Sequence, residues 1–518
     1  MGQSFPRGTS NIRSALTAKD AGDRSILLVG CMISGTASSG ELKEGILSKK
    51  EFNDLFGAKS QIAKAGRSLI DTLSVSKIKP KVSAIGLADN ASGVAATGSI
   101  AFSGTATAVG TLTIYIDSKI NGKYEIAVAI GDTATVIGGK LETAITANTY
   151  SPVTAVNTTG SVALTAVNDG TQGNTISLAI DGSVAGITAT ITAMSSGATN
   201  PVLTSLFDPI VDKRFTTIVY PAEWDTSTLS TFTEARFNVD NKILDGLGVF
   251  CKLDTYANLN TFVDGLNQKT LCGIANKLIS ATKLKGGAII ESPLVIASIF
   301  AGIRELRLSV GANVSSFATN GETIGGNYYG GVPYAGTPVY SLPIIESGND
   351  FSDVEADELA NSGLTLLRNN PSNTSIIINE AMTTYKTDAQ GQVDKTFKYV
   401  NYFDTLTIIR EYVFNNLKAD LIGRRLTTGE LIAGRAMINK EGFINLMKKY
   451  YGALSGYKTN NNNYVLLRAG DSELKAFVDA LDQSVVITLI DGKITAESIA
   501  NIVTQVREFI VNFTPTFE

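Results

Sequence analysis

Histidine is absent from all 518 residues, and that single absence removes a large part of catalytic chemistry. Ser-His-Asp and Cys-His nucleophile systems cannot be built, His-ligated zinc is excluded, and the usual general base near neutral pH is missing. Cysteine is scarce as well. Cys31, Cys251 and Cys272 make an odd number with no C-x-x-C pair, and each lies in an apolar segment. They are expected to be small buried hydrophobes without thiol chemistry. No stretch approaches the roughly 18 uninterrupted apolar residues of a membrane span, so no membrane insertion is expected. The opening MGQSFPRGTSNIRS is polar and carries no apolar core, so no secretory signal is expected. Phosphate loops are lacking too, because Gly122-Lys123, Gly139-Lys140 and Gly492-Lys493 are not followed by Ser or Thr. The Gly-rich stretch 321–336 lacks the G-x-G-x-x-G order and reads as a long loop, and 117–125 fails the EF-hand spacing. An enzyme would need carboxylate, lysine or cofactor chemistry, and no motif singles out such a group. No catalytic, cofactor-binding or metal-ligating residue is expected, and no cofactor.

What the chain has is apolar content. Hydrophobic residues make up 44% and charged residues 18%, which calls for a large interior or for apolar surface covered by other subunits. The length suggests several domains. A net charge of −4 gives no basic field for direct nucleic-acid binding.

Residues 1–23 form a polar N-terminal arm. The apolar run RSILLVGCM (24–32) has strand length and reads as a strand covered on both faces. Ser48 and Glu51 make an S-x-x-E capping box opening a helix. A second helix follows in SQIAKAGRSLIDTLS with Ile62, Leu69, Ile70 and Leu73 on one stripe, then a buried strand at KVSAIGL (81–87). This order suits an α/β layer. Composition then shifts: Ala88–Asn200 holds ten charged residues in 113 positions. Short alternating strands alternate with Gly/Asn/Asp turns, so 88–200 is predicted to be an inserted, mostly β domain. Asn121-Gly122 predicts a type I′ hairpin turn, and Asp132 is predicted to cap the helix DTATVIGGKLETAITAN. From Pro201 the α/β pattern returns, with a strand at FTTIVYPA, an amphipathic helix carrying Phe232, Ala235, Val239 and Ile243, and a strand at LGVFCKL. The expected divisions are a discontinuous α/β middle domain (24–87 and 201–336), a C-terminal domain (337–505) and a C-terminal arm (506–518). The fold class expected is α/β (α+β) multidomain, with helices packed on mixed sheets, the β-rich insert and extended terminal arms.

In the C-terminal region NTSIIINEAMTTY reads as a strand, and DTLTIIREYVFNNLKADLIG as a helix capped by Asp404. Residues 395–458 hold eleven Lys/Arg against five Asp/Glu, an excess that stands out in an acidic chain. Around 495–513 two patterns compete. Phe509, Val511 and Phe513 alternate as in a strand, whereas Ile499, Ile502, Val503, Val506, Phe509 and Ile510 fit a helix.

The order of segments resembles the Mu-like tail sheath family of contractile tails. RSILLVGCMISGTASSG is similar to that family's first strand and small-residue loop, and EFNDLFGAKSQIAKAGRSLIDT with KVSAIGLAD to its next helices and strand. GSIAFSGTATAVGTLTIYI and VAIGDTATVIGGKLETAITA resemble its inserted domain. SIIINEAMTTYKTDAQGQVDKTFKYVNYFDTLTIIREYVFNNL is close to its C-terminal region. The resemblance implies a structural subunit, without enzymatic activity, that polymerises helically as stacked rings around an inner tail tube and contracts. Its implied partners are copies of itself, the tube protein, and baseplate and tail terminator proteins. Its implied place is the virion, after assembly in the host cytoplasm. The C-terminal domain would face the tube, through Arg424, Arg425, Lys448 and Lys449, and Phe509, Val511 and Phe513 would form a strand donated to a neighbouring subunit. Two other readings stay open from the residues alone: a surface or adhesion protein built on the Thr/Ala/Gly-rich strands, and an α/β enzyme using paired carboxylates. A phage tail and a phage-derived bacteriocin or injection apparatus are not distinguished by sequence.

Overall fold

The structure is a computed structural model. It describes residues 24–76, 79–237, 243–278, 291–308, 334–345, 350–404 and 407, and the backbone of short strands at 425–426, 437–438, 486–490 and 493–497.

The first apolar run becomes β1 (Ser25–Cys31), every residue of it buried. It sits inside a nine-stranded sheet because a strand with no polar face needs cover on both sides. β2 (Leu42–Glu44), α1 (Lys49–Phe56), α2 (Gln61–Leu73) and β3 (Lys81–Leu87) follow. The Ser48–Glu51 capping box forms at the start of α1. Phe52 and Phe56 of α1 are fully buried, each contributing about 1.5–3 kcal/mol. The close approach of α1 to α2 needs Gly66, since a Cβ there would lie 2.3 Å from the Phe52 ring.

After β3 the chain leaves the sheet for the insert. It holds β4 (Ala95–Gly104), β5 (Gly110–Ile116), β6 (Ser118–Val128), α3 (Ala134–Ala147), β7 (Val153–Thr158), β8 (Ser161–Asp169), β9 (Leu178–Asp181) and β10 (Ile187–Ser195). These build two antiparallel sheets, ordered β10-β4-β8-β7 and β6-β5-β9. They enclose a hydrophobic cluster of their own, with Ile100, Ile114, Ile137, Leu141 and Leu164 at its centre.

The chain then returns to the large sheet with β11 (Thr217–Val219), α4 (Thr226–Arg236), β12 (Leu247–Asp254), α5 (Tyr256–Asp264), β13 (Leu271–Lys277), α6 (Pro293–Leu308), β14 (Thr337–Val339), α7 (Asp353–Asn361), β15 (Leu364–Asn369) and β16 (Ile376–Glu380). The sheet order is β14-β16-β15-β13-β12-β11-β1-β3-β2. Its six central strands run parallel, β2 and β16 flank them antiparallel, and β14 pairs antiparallel with β16. The sheet therefore continues across the boundary expected at 336–337. One face is covered by α1, α2 and α6, the other by α4, α5 and α7. All of α6 is buried, as expected for a helix that is apolar almost all round.

Four local expectations are corrected. Asn121-Gly122 is not the hairpin turn. The chain reverses at Asp117, whose φ is 65°, with Ile116 paired to Ser118. Gly122 is instead pressed against the carbonyl of Ile116, so the extra residues lie in a bulge. The cap of α3 is Thr133, not Asp132, because the Asp132 carboxylate is taken by Lys140 at 2.6 Å. Helix α4 begins at Thr226 and buries Leu229, Thr233 and Arg236, while Ala235, expected on its apolar stripe, is exposed. Val239 lies outside the described residues. Finally, residues 400–404 are already helical, so Asp404 lies within a helical turn and does not cap one. Its carboxylate is engaged elsewhere, as described next.

Candidate functional site

Of the residues predicted from sequence to face a tube, Arg424, Lys448 and Lys449 lie outside the described residues. Arg425 is described only through its backbone, in a two-residue strand paired with Met437 and Ile438. Phe509, Val511 and Phe513, and both terminal arms, also lie outside them. The described residues instead present two buried ionic networks.

The first joins α6, β11 and the start of the C-terminal region. Arg304 and Glu305 are adjacent on α6 and are 1% and 0% exposed. Arg304 donates from Nε to Asp404 Oδ1 at 3.0 Å and from Nη1 to the Thr216 carbonyl and Glu305 Oε1, each at 2.8 Å. Tyr334 donates its hydroxyl to Asp404 Oδ2 at 2.6 Å, and Thr217 donates to Glu305. Burial works against the charge on Arg304, but Asp404 and Glu305 outweigh it and raise its pKa. The Tyr334 hydroxyl is pushed well up by burial and by Asp404, so it stays a donor. Two carboxylates and one guanidinium thus fix three segments distant in sequence, with the directional bonds that a buried charge needs.

The second network joins the insert to the body. Lys64 of α2 pairs with Asp117 of the insert at 2.6 Å and with Glu291 at 2.8 Å, and Ser118 Oγ donates to Glu291 at 2.6 Å. Burial lowers and the two carboxylates raise the Lys64 pKa, with a net rise. Asp117 is raised by burial, and by Glu291, against the pull of Lys64. Close by, Asn168 at the end of β8 accepts from the Gln61 amide at 3.0 Å, satisfying an orphan N–H at the start of α2. It also donates to the Met32 carbonyl at 3.0 Å. Asn200 donates to the Glu223 carbonyl at 2.9 Å. The Glu223 carboxylate itself is shut off from solvent without a partner, and burial raises its pKa to about 7.

Lys64 and Ser118 of the second network line a cleft of about 180 Å³ between α2 and the insert. All three cysteines are buried; burial pushes Cys31 and Cys251 well up and Cys272 to about 12. Among the described residues no group of three or more Cys, Asp or Glu could hold a metal ion, and no helix is long and apolar enough to cross a membrane. Sequence reasoning missed Arg304 and Glu305, although a charged pair inside the apolar run PLVIASIFAGIRELRL was a readable sign of a buried ion network. Lys64, Asp117 and Glu291 carry no local signal, because their association depends on the fold of the insert.

Fold and networks together define a helix-covered mixed sheet carrying an independently cored β insert, tied together by buried charges. Over 250 residues, 47% of its length, the chain is 30% identical to the Mu-like prophage FluMu tail sheath protein of Haemophilus influenzae. That match supports the Mu-like tail sheath family that the sequence resembles. The chain spans about half the length of this relative, 50% of which is covered. No family model matches. Among solved structures, the sheath tail protein of Listeria innocua aligns with a TM-score of 0.41 and 13% identity over 91% of both chains. A chain of the anti-feeding prophage baseplate aligns with a TM-score of 0.45 and 10% identity, covering 100% of this chain and 99% of that one.

Proposed function

We propose that this chain is the structural subunit of a contractile tail sheath, polymerising helically around an inner tail tube and contracting to drive that tube through a target envelope. The observation that carries the reading is the 30% identity over 250 residues to a tail sheath protein. The apolar composition, 44% hydrophobic against 18% charged, supports a chain whose surface is partly covered by its own copies.

On this reading the protein is not an enzyme, and its partners are itself, the tube protein, the baseplate and the tail terminator. It is assembled in the host cytoplasm and ends in the virion. The insert faces outward, residues 337–505 face the tube, and Arg424, Arg425, Lys448 and Lys449 register an acidic tube surface. Exposed pairs of that kind are individually worth only ~0–1 kcal/mol, so they hold the tube yet let it slip. Arms 1–23 and 506–518 add strands to neighbouring sheets, with Phe509, Val511 and Phe513 in the donated strand, held chiefly by backbone hydrogen bonds. Head-to-tail contacts that do not close generate a helix. The extended sheath is then a metastable packing that relaxes to one burying more surface, without nucleotide hydrolysis.

Negative-stain microscopy of the purified protein tests this. Long hollow cylinders are the expected result, and particles of single copies at every concentration would overturn it.

A further inference from the structure

Arg67, on α2, is held in an unusual way. Its Nη1 donates to Asn53 Oδ1 at 2.7 Å and to the Ala58 carbonyl at 2.8 Å, and its guanidinium lies over the Tyr150 ring, 4.4 Å from the centroid. Burial lowers its pKa to about 10, with Tyr150 and Asp71 acting the other way. Asp71, the acid that lines the same cleft as Arg67, is committed to Lys49. The Nε and Nη2 donors of Arg67 have no partner among the described residues. Arg67 lines a cleft of about 180 Å³ between α2 and the insert, with Tyr150, Ser68 and Asn121 on its walls. A guanidinium oriented by two tethers and a stacked ring, with one two-donor edge free, is preorganised for a carboxylate.

An acid without a partner is found on α7. Its Asp353, Glu355 and Glu358 are engaged by Arg368, Lys277 and Tyr256. Asp357 is exposed and has no partner among the described residues. Val354, three residues earlier and so on the same helical face, is 68% exposed. An apolar group and a carboxylate side by side match Tyr150 and Arg67. Within one copy the two sites cannot meet. α2 and α7 cover opposite faces of the sheet, and β1 under α2 lies four strand spacings from β15 under α7, roughly 19 Å.

We propose that the Arg67 cleft receives the Asp357 carboxylate of a second copy of this chain, with Val354 packed on the Tyr150 ring. The contact is heterologous, the kind that propagates as rings or helices, and it rests on the sheath reading above.

Charge exchange tests it. Arg67→Glu and Asp357→Arg should each reduce the assembled fraction at least tenfold, and the double variant R67E/D357R should restore it. Asp357 is exposed, so its variant reports on contact even if Arg67→Glu disturbs folding. Mixing Arg67→Cys with Asp357→Cys should also give a disulfide between copies under mild oxidation, since the native cysteines are buried. Single reversals that assemble like the parent chain overturn the contact while leaving the sheath reading intact. If the parent chain forms no cylinders, the sheath reading falls; the contact then falls with it when the cysteine variants fail to cross-link, and stands when they do cross-link.

Discussion

The guanidinium of Arg304 and the carboxylate of Asp404 meet across 100 residues of sequence in a site that excludes solvent, Nε to Oδ1 at 3.0 Å. The pair ties α6 to the helical turn at residues 400–404. Removing one partner leaves the other charge buried. Asp404→Asn should cost about 3–5 kcal/mol. Urea unfolding followed by the fluorescence of Trp224, the single tryptophan, measures it. The triple change R304M/E305Q/D404L, which also neutralises the Glu305 carboxylate held by Arg304, should cost clearly less than the three single removals together.

Lys64 is the cation between Asp117 and Glu291 at the base of the insert. Lys64→Met leaves two buried carboxylates facing each other and should loosen the junction without unfolding the insert, which has its own core. Hydrogen exchange should rise at the Gln61 and Asp117 amides, which donate across the junction or beside it to Asn168 and Ser177. Amides within β4 and β8 should keep their protection.

Glu223 predicts a pH dependence. Its folded pKa of about 7 lies above the ordinary 4.5, so the folded state holds a proton that the unfolded state has lost. Stability should therefore fall as pH rises from about 4.5 to 7 and stay lower above that, by about 3 kcal/mol in all. Glu223→Gln should flatten that slope and raise the melting temperature at pH 8. A parent chain that gains stability over the same window would contradict the assignment.

Gly66 lets α1 and α2 touch. Gly66→Ala gains up to about 1 kcal/mol of helix propensity but forces the Phe52 ring aside. Overpacking of this kind costs about 1–3 kcal/mol, so net destabilisation is expected in thermal unfolding.

The parts of this fold legible in sequence are those set by local pattern. The all-apolar run of β1, the Ser48–Glu51 capping box and the stripe of Ile62, Leu69 and Leu73 on α2 each carry their own physical signal, and each forms. The short strands between β3 and β11 were legible from their alternation and turn residues. Local chemistry misled where tertiary contacts competed for the same groups. Asp132 and Asp404 resemble helix caps, yet Lys140 and Arg304 take their carboxylates. Asn121-Gly122 resembles a turn, yet Asp117, held by Lys64, makes the reversal. Networks such as Lys64–Asp117–Glu291 could not be read, because nothing in the spacing of their members brings them together.

The central claim is that a single copy is incomplete and that strands lent between copies build the working object. Sedimentation velocity on the full chain and on residues 1–505 tests it most directly. The full chain should run as large assemblies and the shortened one as a folded monomer at the same concentration. A shortened chain that assembles as the full one does would contradict the account.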